Sequence, residues 1–230
     1  MRNKRLVVFT GHWPDEVNTV APQKPEKDDF VVCADIGYLI CASTGHKPDI
    51  VIGDFDSLTE KQIAEIDSLG IERIVYPAEK DETDTLLCVK HGLSLGFDNF
   101  LIVGGIGGDI SHTLANIQVL SFLTDMSCKA EIVTGSERFK MVDGEVLSAF
   151  RKARPAIPLV ISGPQGAKFS VFSYAERSSG VYIKNAKFKL TDATLTQSYP
   201  VGVSNEFTEK ENVTISVKHG RLLVCIKNAV

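Results

Sequence analysis

Two carboxylates stand two residues apart in Gly53-Asp54-Phe55-Asp56-Ser57, directly after the apolar run Ile50 to Ile52, so both sit just past an expected strand end. In extended chain, side chains two apart point the same way. Paired hard oxygens suit magnesium, which takes one or two carboxylates and completes its octahedron with water and substrate phosphate. A local reading competes: Asp56-Ser57 could merely begin the turn into a helix capped by Thr59. Lys80-Asp81-Glu82-Thr83-Asp84 follows another strand, and Asp81 and Asp84, three apart, would share one face of a starting helix. Acidic residues are favoured at a helix N-terminus in any case, an alternative that bears more on Asp81 than on Asp84.

Gly104-Gly105-Ile106-Gly107-Gly108 lies between a strand and a helix, where its backbone amides could approach an anion closely. It is not a dinucleotide fingerprint, because counting from Gly105 puts the third glycine of that pattern on Ile110, and no Gly-Lys-Ser/Thr ending makes it a phosphate-binding P-loop. Asp35-Ile36-Gly37 closes the second strand and brings a fifth aspartate to the same edge. Such a concentration of like charge is costly unless a cation neutralises it. A metal-phosphate site is the reading these residues support together.

Those strand ends need a sheet. Continuous apolar runs at Leu6 to Phe9, Phe30 to Cys33, Ile50 to Ile52, Ile71 to Tyr76, Leu101 to Val103 and Glu131 to Val133 predict strands buried on both faces. Helical patterns lie between them. Thr59 to Leu69 carries a Thr59/Gln62 capping box and a Gly70 stop. A second helix is predicted from near Asp81 to Gly96, with Leu86, Val89 and Leu93 on its inner face. A third begins at Ser111, with Leu114, Ile117 and Leu120 or Ser121 turned inward. Alternating strands and helices predict a doubly wound, mostly parallel α/β sheet over residues 1–143, with ligands at the carboxyl ends of its strands. The Pro-rich, charged stretch from Gly11 to Asp29 reads as a polar excursion. After Gly144, short alternating segments such as Phe169 to Phe172 and Val213 to Val217 predict an all-β sandwich over residues 144–230, with turns at Gly163-Pro164, Ser179-Gly180 and His219-Gly220.

Composition removes whole classes. The 230 residues are 43% hydrophobic and 23% charged, the balance of a packed globular chain. A formal net charge of -4 disfavours a nucleic-acid partner but not a nucleotide, since magnesium can bridge carboxylates to polyphosphate. The five cysteines show neither Cys-x-x-Cys nor zinc spacing, which predicts free thiols in a reducing cytoplasm. The basic start Met1 to Arg5 precedes an apolar run too short for a signal peptide, and no segment approaches membrane-spanning length.

From end to end these motifs resemble the thiamine pyrophosphokinase family. Its pattern has an Asp-Gly-Gly turn, a Pro-Asp strand leading to Gly-Asp-Phe-Asp-Ser, an Asp-x-Thr-Asp helix start, a glycine-rich turn before a His-containing helix, and Ser-Asn in a β domain. Here those positions are Asp35-Ile36-Gly37, Pro48-Asp49 with Gly53 to Ser57, Asp81 to Asp84, Gly104 to His112, and Ser204-Asn205. The resemblance implies an ATP-binding catalytic domain joined to a thiamine-binding β-sandwich, a homodimer, and transfer of pyrophosphate from ATP to the thiamine hydroxyl with release of AMP. It implies magnesium at Asp54, Asp56 and Asp84, with Asp56 and Asp84 also counted catalytic and Asp81 orienting or deprotonating the hydroxyl. Asp35, Gly37, Ser57, Thr83, Gly105, Gly107, Gly108 and His112 would hold the nucleotide. Ser204 and Asn205 would hold thiamine, and Phe207 or Tyr199 could stack on its cationic ring.

Three positions depart from the pattern: Ile36 replaces a glycine, Asp109 stands in place of Arg, and Ser111 in place of Asp before His112. Lys80 or Arg138 could supply the missing positive charge. Two other readings stay open. A magnesium-dependent phosphatase would use Asp54 as nucleophile and Asp56 as acid, although Leu58 occupies that pattern's Thr position. A non-catalytic nucleotide- or thiamine-binding module is motivated by Asp109 and Ser111.

Overall fold

A computed structural model describes residues 4–13, 23–144, 156–209 and 212–227. Two compact units emerge, Met1–Leu123 with Cys128–Gly135, and Thr124–Ser127 with Ser136–Val230.

In the first unit β1 (Leu6–Phe9), β2 (Phe30–Ala34), β3 (Ile50–Gly53), β4 (Glu72–Val75), β5 (Asn99–Val103) and β6 (Lys129–Val133) lie in the order β6-β5-β1-β2-β3-β4. Every pairing between these neighbours is parallel. β1 and β2 are buried almost end to end, as continuous apolarity requires of a sheet covered on both faces. The strand order reverses between β1 and β5, and their carboxyl ends flank the crevice that this topology makes available to ligands. The expectation of a doubly wound parallel sheet is met.

Helix α1 (Gly37–Ser43) follows β2 directly. A Cβ at Gly37 would lie 2.2 Å from the Phe9 carbonyl oxygen, so glycine is what lets the helix start against β1. Helix α2 (Glu60–Ser68) carries the predicted box: Thr59 N–H donates to Gln62 Oε1 at 2.8 Å, and Gln62 N–H to Thr59 Oγ1 at 3.4 Å. Helix α3 (Asp84–Ser94) begins later than the expectation at Asp81, because the Thr83 hydroxyl accepts from Leu86 N–H and is the N-cap. Asp81 therefore lies outside the helix and shares no helical face with Asp84. The buried face also differs, running through Thr85, Cys88, Val89 and Gly92 rather than Leu86, Val89 and Leu93. At Gly92 a Cβ would meet Leu6 Cδ1 at 2.5 Å, so that glycine lets α3 pack tightly against β1.

Helix α4 runs Ile110–Asp125 and buries Asn116, Val119, Leu120 and Leu123, leaving Leu114 58% exposed against expectation. The helix is apolar on most sides, so periodicity alone could not fix which stripe faces the core.

The second unit is a sandwich. One sheet orders β12 (Asn205–Glu206), β9 (Lys168–Ser173), β14 (Arg221–Lys227) and β7 (Glu137–Asp143); the other orders β11 (Leu190–Thr196), β10 (Arg177–Lys184), β13 (Val213–Ser216) and β8 (Leu159–Ile161). Their inner faces share a core that includes Val171, Val181, Ile183, Phe207, Ile215 and Val224. Strand β7, which a boundary at 143/144 leaves in the first domain, pairs along its whole length with β14 and belongs to this unit. Ser179-Gly180 is not a turn. It sits inside β10, where the register shifts between Ser179 and Val181 and Gly180 takes φ 65°, the left-handed conformation of a β-bulge.

Candidate active site

The carboxyl ends of β2 and β3 each deliver an aspartate, and the start of α3 delivers a third. Asp35, Asp54 and Asp84 each offer an oxygen within 4.8 Å of the others. Asp35 holds a left-handed backbone, φ 45°, and is 5% exposed; its Oδ1 is buried with no hydrogen-bond partner among the described residues. Gly53 makes room for it, since a Cβ there would lie 2.8 Å from Asp35 Cβ.

Lys80 bridges the other two, with Nζ 3.0 Å from Asp54 Oδ2 and 3.1 Å from Asp84 Oδ1. The hydrogen bond from Lys80 holds the Asp54 carboxyl below its ordinary range. Burial pushes Asp35 and Asp84 up, with Lys80 opposing it at Asp84. One ammonium thus pairs with two of the three carboxylates, and the buried Asp35 oxygen is left to be satisfied by something else. A hard divalent cation fits that donor set.

The Gly53 to Ser57 segment does not present Asp54 and Asp56 side by side. Phe55 takes φ 65° and buries its ring, which breaks the extended geometry that would have aligned them. Asp56 is exposed and outside the carboxylate group; its N–H donates to Asp54 Oδ1 at 3.2 Å, and its Oδ1 accepts from the Ser57 hydroxyl at 3.0 Å. Asp35 takes the place that spacing alone offered to Asp56. Asp81 is exposed and also outside the group.

Much of the glycine-rich turn is stitched internally. Gly104 N–H donates to Val133 O (2.8 Å), Gly105 N–H to His12 O (2.7 Å) and Gly107 N–H to Thr113 Oγ1 (2.9 Å), while Asn116 Nδ2 donates to Gly105 O (2.8 Å). Positive φ at Gly104, Gly105, Gly107 and Gly108 makes this path possible. Asp109 Oδ1 accepts from Ser111 N–H at 2.6 Å and so occupies the start of α4; His112 beside it is exposed.

Three residues at this edge escaped the reading of the sequence. Thr10 closes β1, with N–H and hydroxyl both donating to Val103 O at 3.0 and 3.2 Å. His12 lies against the glycine-rich turn, and Asn116 is the buried polar residue of α4. The signal for the first two was their position just past a buried strand; for Asn116 it was an amide on an apolar helix.

In the second unit Asn205 is 5% exposed and spends its side chain on the backbone. Oδ1 accepts from Phe188 N–H (3.0 Å) and Glu206 N–H (2.9 Å), and Nδ2 donates to Phe188 O (2.8 Å). Ser204 is exposed at φ 59°. Phe207 is a core residue, its ring 5.0 Å from that of Phe169, whereas Tyr199 is 68% exposed.

Two family models match: thiamin pyrophosphokinase catalytic domain over residues 22–132, and thiamin pyrophosphokinase vitamin B1 binding domain over residues 160–222. A thiamine pyrophosphokinase of Bacillus subtilis is 33% identical over 107 residues, 46% of this chain and 50% of that protein. One from Oryza sativa is 31% identical over 81 residues, 33% of this chain and 31% of that protein. The matched segment thus spans half or less of each curated relative. Among solved structures, a thiamine pyrophosphokinase from Bacillus subtilis superposes with TM-score 0.80 at 20% identity, covering 99% of this chain and 100% of the other. One from Candida albicans gives 0.75 at 13%, covering 99% and 90%. At these identities the structural likeness speaks to the fold.

Proposed function

As a member of the thiamin pyrophosphokinase family, the chain carries out, we propose, the transfer of pyrophosphate from ATP to the hydroxyl of thiamine, giving thiamine pyrophosphate and AMP. The observation that carries the reading is the group Asp35, Asp54 and Asp84 at the carboxyl edge of the sheet, beside the crevice where the strand order reverses.

The thiamine oxygen forms a bond to the β-phosphorus of ATP while the bond from that phosphorus to the α-phosphate oxygen breaks; the hydroxyl proton leaves and AMP departs with the bonding pair. Such transfers depend on positioning and charge neutralisation rather than covalent help from the protein. Magnesium held by Asp35, Asp54 and Asp84 would supply that neutralisation, and Asp56 remains at hand through Asp54. Lys80 keeps Asp54 and Asp84 in place, and its hydrogen bond favours the ionised form of Asp54. Asp81, exposed and unconstrained by the helix, is the candidate to orient the hydroxyl and accept its proton. The turn Gly104 to Gly108 and its neighbours hold the nucleotide.

The reading carries a homodimer and a cytoplasmic location. Ile110 and Leu114, 67% and 58% exposed one helical turn apart on α4, support a face covered by a second copy. Among the described residues no helix is long and apolar enough to cross a membrane.

The test is to incubate protein with ATP, magnesium and thiamine, and to follow AMP and thiamine pyrophosphate by chromatography, with Asp54→Asn alongside. Equal amounts of both products, lost in the variant, support the proposal. Inorganic phosphate without AMP would favour a phosphatase, and binding of both ligands without products would favour a binding module.

A further inference from the structure

The nucleotide reading leaves an electrostatic question at the glycine-rich turn. An anionic polyphosphate laid there needs donors, yet three of the turn's N–H groups are already given to Val133, His12 and Thr113. The start of α4 is no freer, because the Asp109 carboxylate accepts from Ser111 N–H at 2.6 Å and adds a negative charge where an anion would approach. Lys80 is held between Asp54 and Asp84 at 3.0 and 3.1 Å.

The Asn116 amide and the Thr113 hydroxyl, which also lie against the turn, are given to Gly105 O and Gly107 O, which leaves the His12 ring as a further donor side chain beside it. His12 stands just past β1, at the crevice between β1 and β5, and its carbonyl accepts from Gly105 N–H at 2.7 Å. Its ring packs against Gly107 and Gly108. A Cβ built on Gly107 would lie 3.0 Å from Nε2, and one on Gly108 would lie 2.7 Å from Nδ1 and 2.8 Å from Cε1. The two glycines therefore do more than allow a left-handed path: they leave room for an imidazole. A side chain packed this closely has lost much of its rotamer freedom before any ligand arrives, which lowers the entropic cost of using it.

We propose that His12 is a phosphate-contacting residue of the nucleotide site, its ring N–H donating to a polyphosphate oxygen laid along Gly105 to Gly108. This rests on the reading of that turn as the nucleotide-holding element. The donor is available whether the ring is neutral or charged, since either form carries an N–H. His12 does for the turn what its own committed amides cannot do.

The experiment measures KM for ATP with magnesium, KM for thiamine, and kcat in His12→Ala and His12→Gln, with the wild-type turn amides followed by NMR as ATP and magnesium are added without thiamine. A hydrogen bond to a charged group is large enough to predict a rise in KM for ATP of about tenfold or more in His12→Ala. KM for thiamine should stay within about twofold, and His12→Gln, which keeps an N–H donor, should recover most of the loss. Shifted Gly105 to Gly108 amides with an unchanged KM for ATP in His12→Ala would overturn the role of His12 while leaving the turn as nucleotide holder. Unshifted amides would overturn the turn reading, and the His12 role with it. Parallel rises in both KM values together with a lowered melting temperature would mean a structural role only. If His12→Ala does not fold, the wild-type His12 ring nitrogens decide: a shift on adding ATP supports the contact, and none overturns it.

Discussion

Asn205→Ala separates two jobs that the sequence and the structure give to one residue. Motif resemblance puts Asn205 in the thiamine pocket, whereas the structure shows its amide bonded to Phe188 N–H, Phe188 O and Glu206 N–H. Alanine removes all three bonds. At about 1 kcal/mol net for each intramolecular hydrogen bond the loss is roughly 3 kcal/mol. Phe188 is 57% exposed, so water can reach part of the freed backbone and the loss should come nearer 2 kcal/mol. For a chain of 150–250 residues that corresponds to a fall in melting temperature of roughly 4–8 °C. The assay is a thermal melt followed by circular dichroism, with steady-state kinetics at saturating ATP and varied thiamine. The structural account expects the melting temperature to fall well before KM for thiamine changes by more than a few fold at a temperature where the variant is folded. An unchanged melting temperature with KM raised tenfold or more would refute it and restore Asn205 to the pocket.

Asp35→Asn tests the carboxylate group without relying on turnover. Burial raises the Asp35 carboxyl in the folded state, so its ionised form opposes folding at neutral pH, and that opposition is relieved as pH falls through the folded value. In EDTA at neutral pH the variant should melt higher than the parent, and it should lose the stabilisation that added magnesium gives the parent; a lower melting temperature in EDTA counts against the account. Gly53→Ala places a Cβ 2.8 Å from Asp35 Cβ, and such overpacking costs roughly 1–3 kcal/mol, with turnover reduced through displacement of Asp35; unchanged kinetics would mean that Asp35 does not need its present position. Burial raises the Cys33 and Cys88 thiols and pushes Cys225 up to about 12, so none of the three should react with a thiol reagent at pH 8 until the protein unfolds, as mass spectrometry of the labelled sites will show.

The central strands of the first unit were legible because runs such as Leu6 to Phe9 and Leu101 to Val103 have one stable use in a chain of this composition, burial on both faces of a sheet, whereas β4 lies at the sheet edge with Val75 63% exposed, against the expectation of burial. Helix α2 was legible through its ends, which Thr59, Gln62 and Gly70 write into the sequence. Helix α4 was not, since apolar residues surround most of it and its inward stripe depends on what it meets. Gly180 shows the same limit in the sandwich. A glycine marks a left-handed residue, but whether that residue turns the chain or bulges a strand depends on the pairing of β10 with β11.

At the carboxylate edge, local spacing and tertiary placement rank the aspartates differently, and the reason is conformational. Spacing treats Asp54 and Asp56 as equivalent because it assumes extended chain; one residue at φ 65° between them removes the equivalence. It passes over Asp35 because nothing in Asp35-Ile36-Gly37 pairs it with another acid nearby in sequence. The pairing comes from β2 lying beside β3, where Ala34 is in register with Ile52 and Asp35 N–H donates to Ile52 O. Local stability would not choose the result: a buried carboxylate oxygen without a hydrogen bond, a left-handed aspartate, and a glycine at position 53 reserved to make room for it. Each of these disfavours folding to some extent, and the proposed cation among the three acids would offset that cost by satisfying the buried oxygen and neutralising the like charge. The same sheet edge that leaves them unsatisfied leads, through β1, to His12 and the glycine-rich turn, so the proposed cation and polyphosphate sites would be built from neighbouring strand ends.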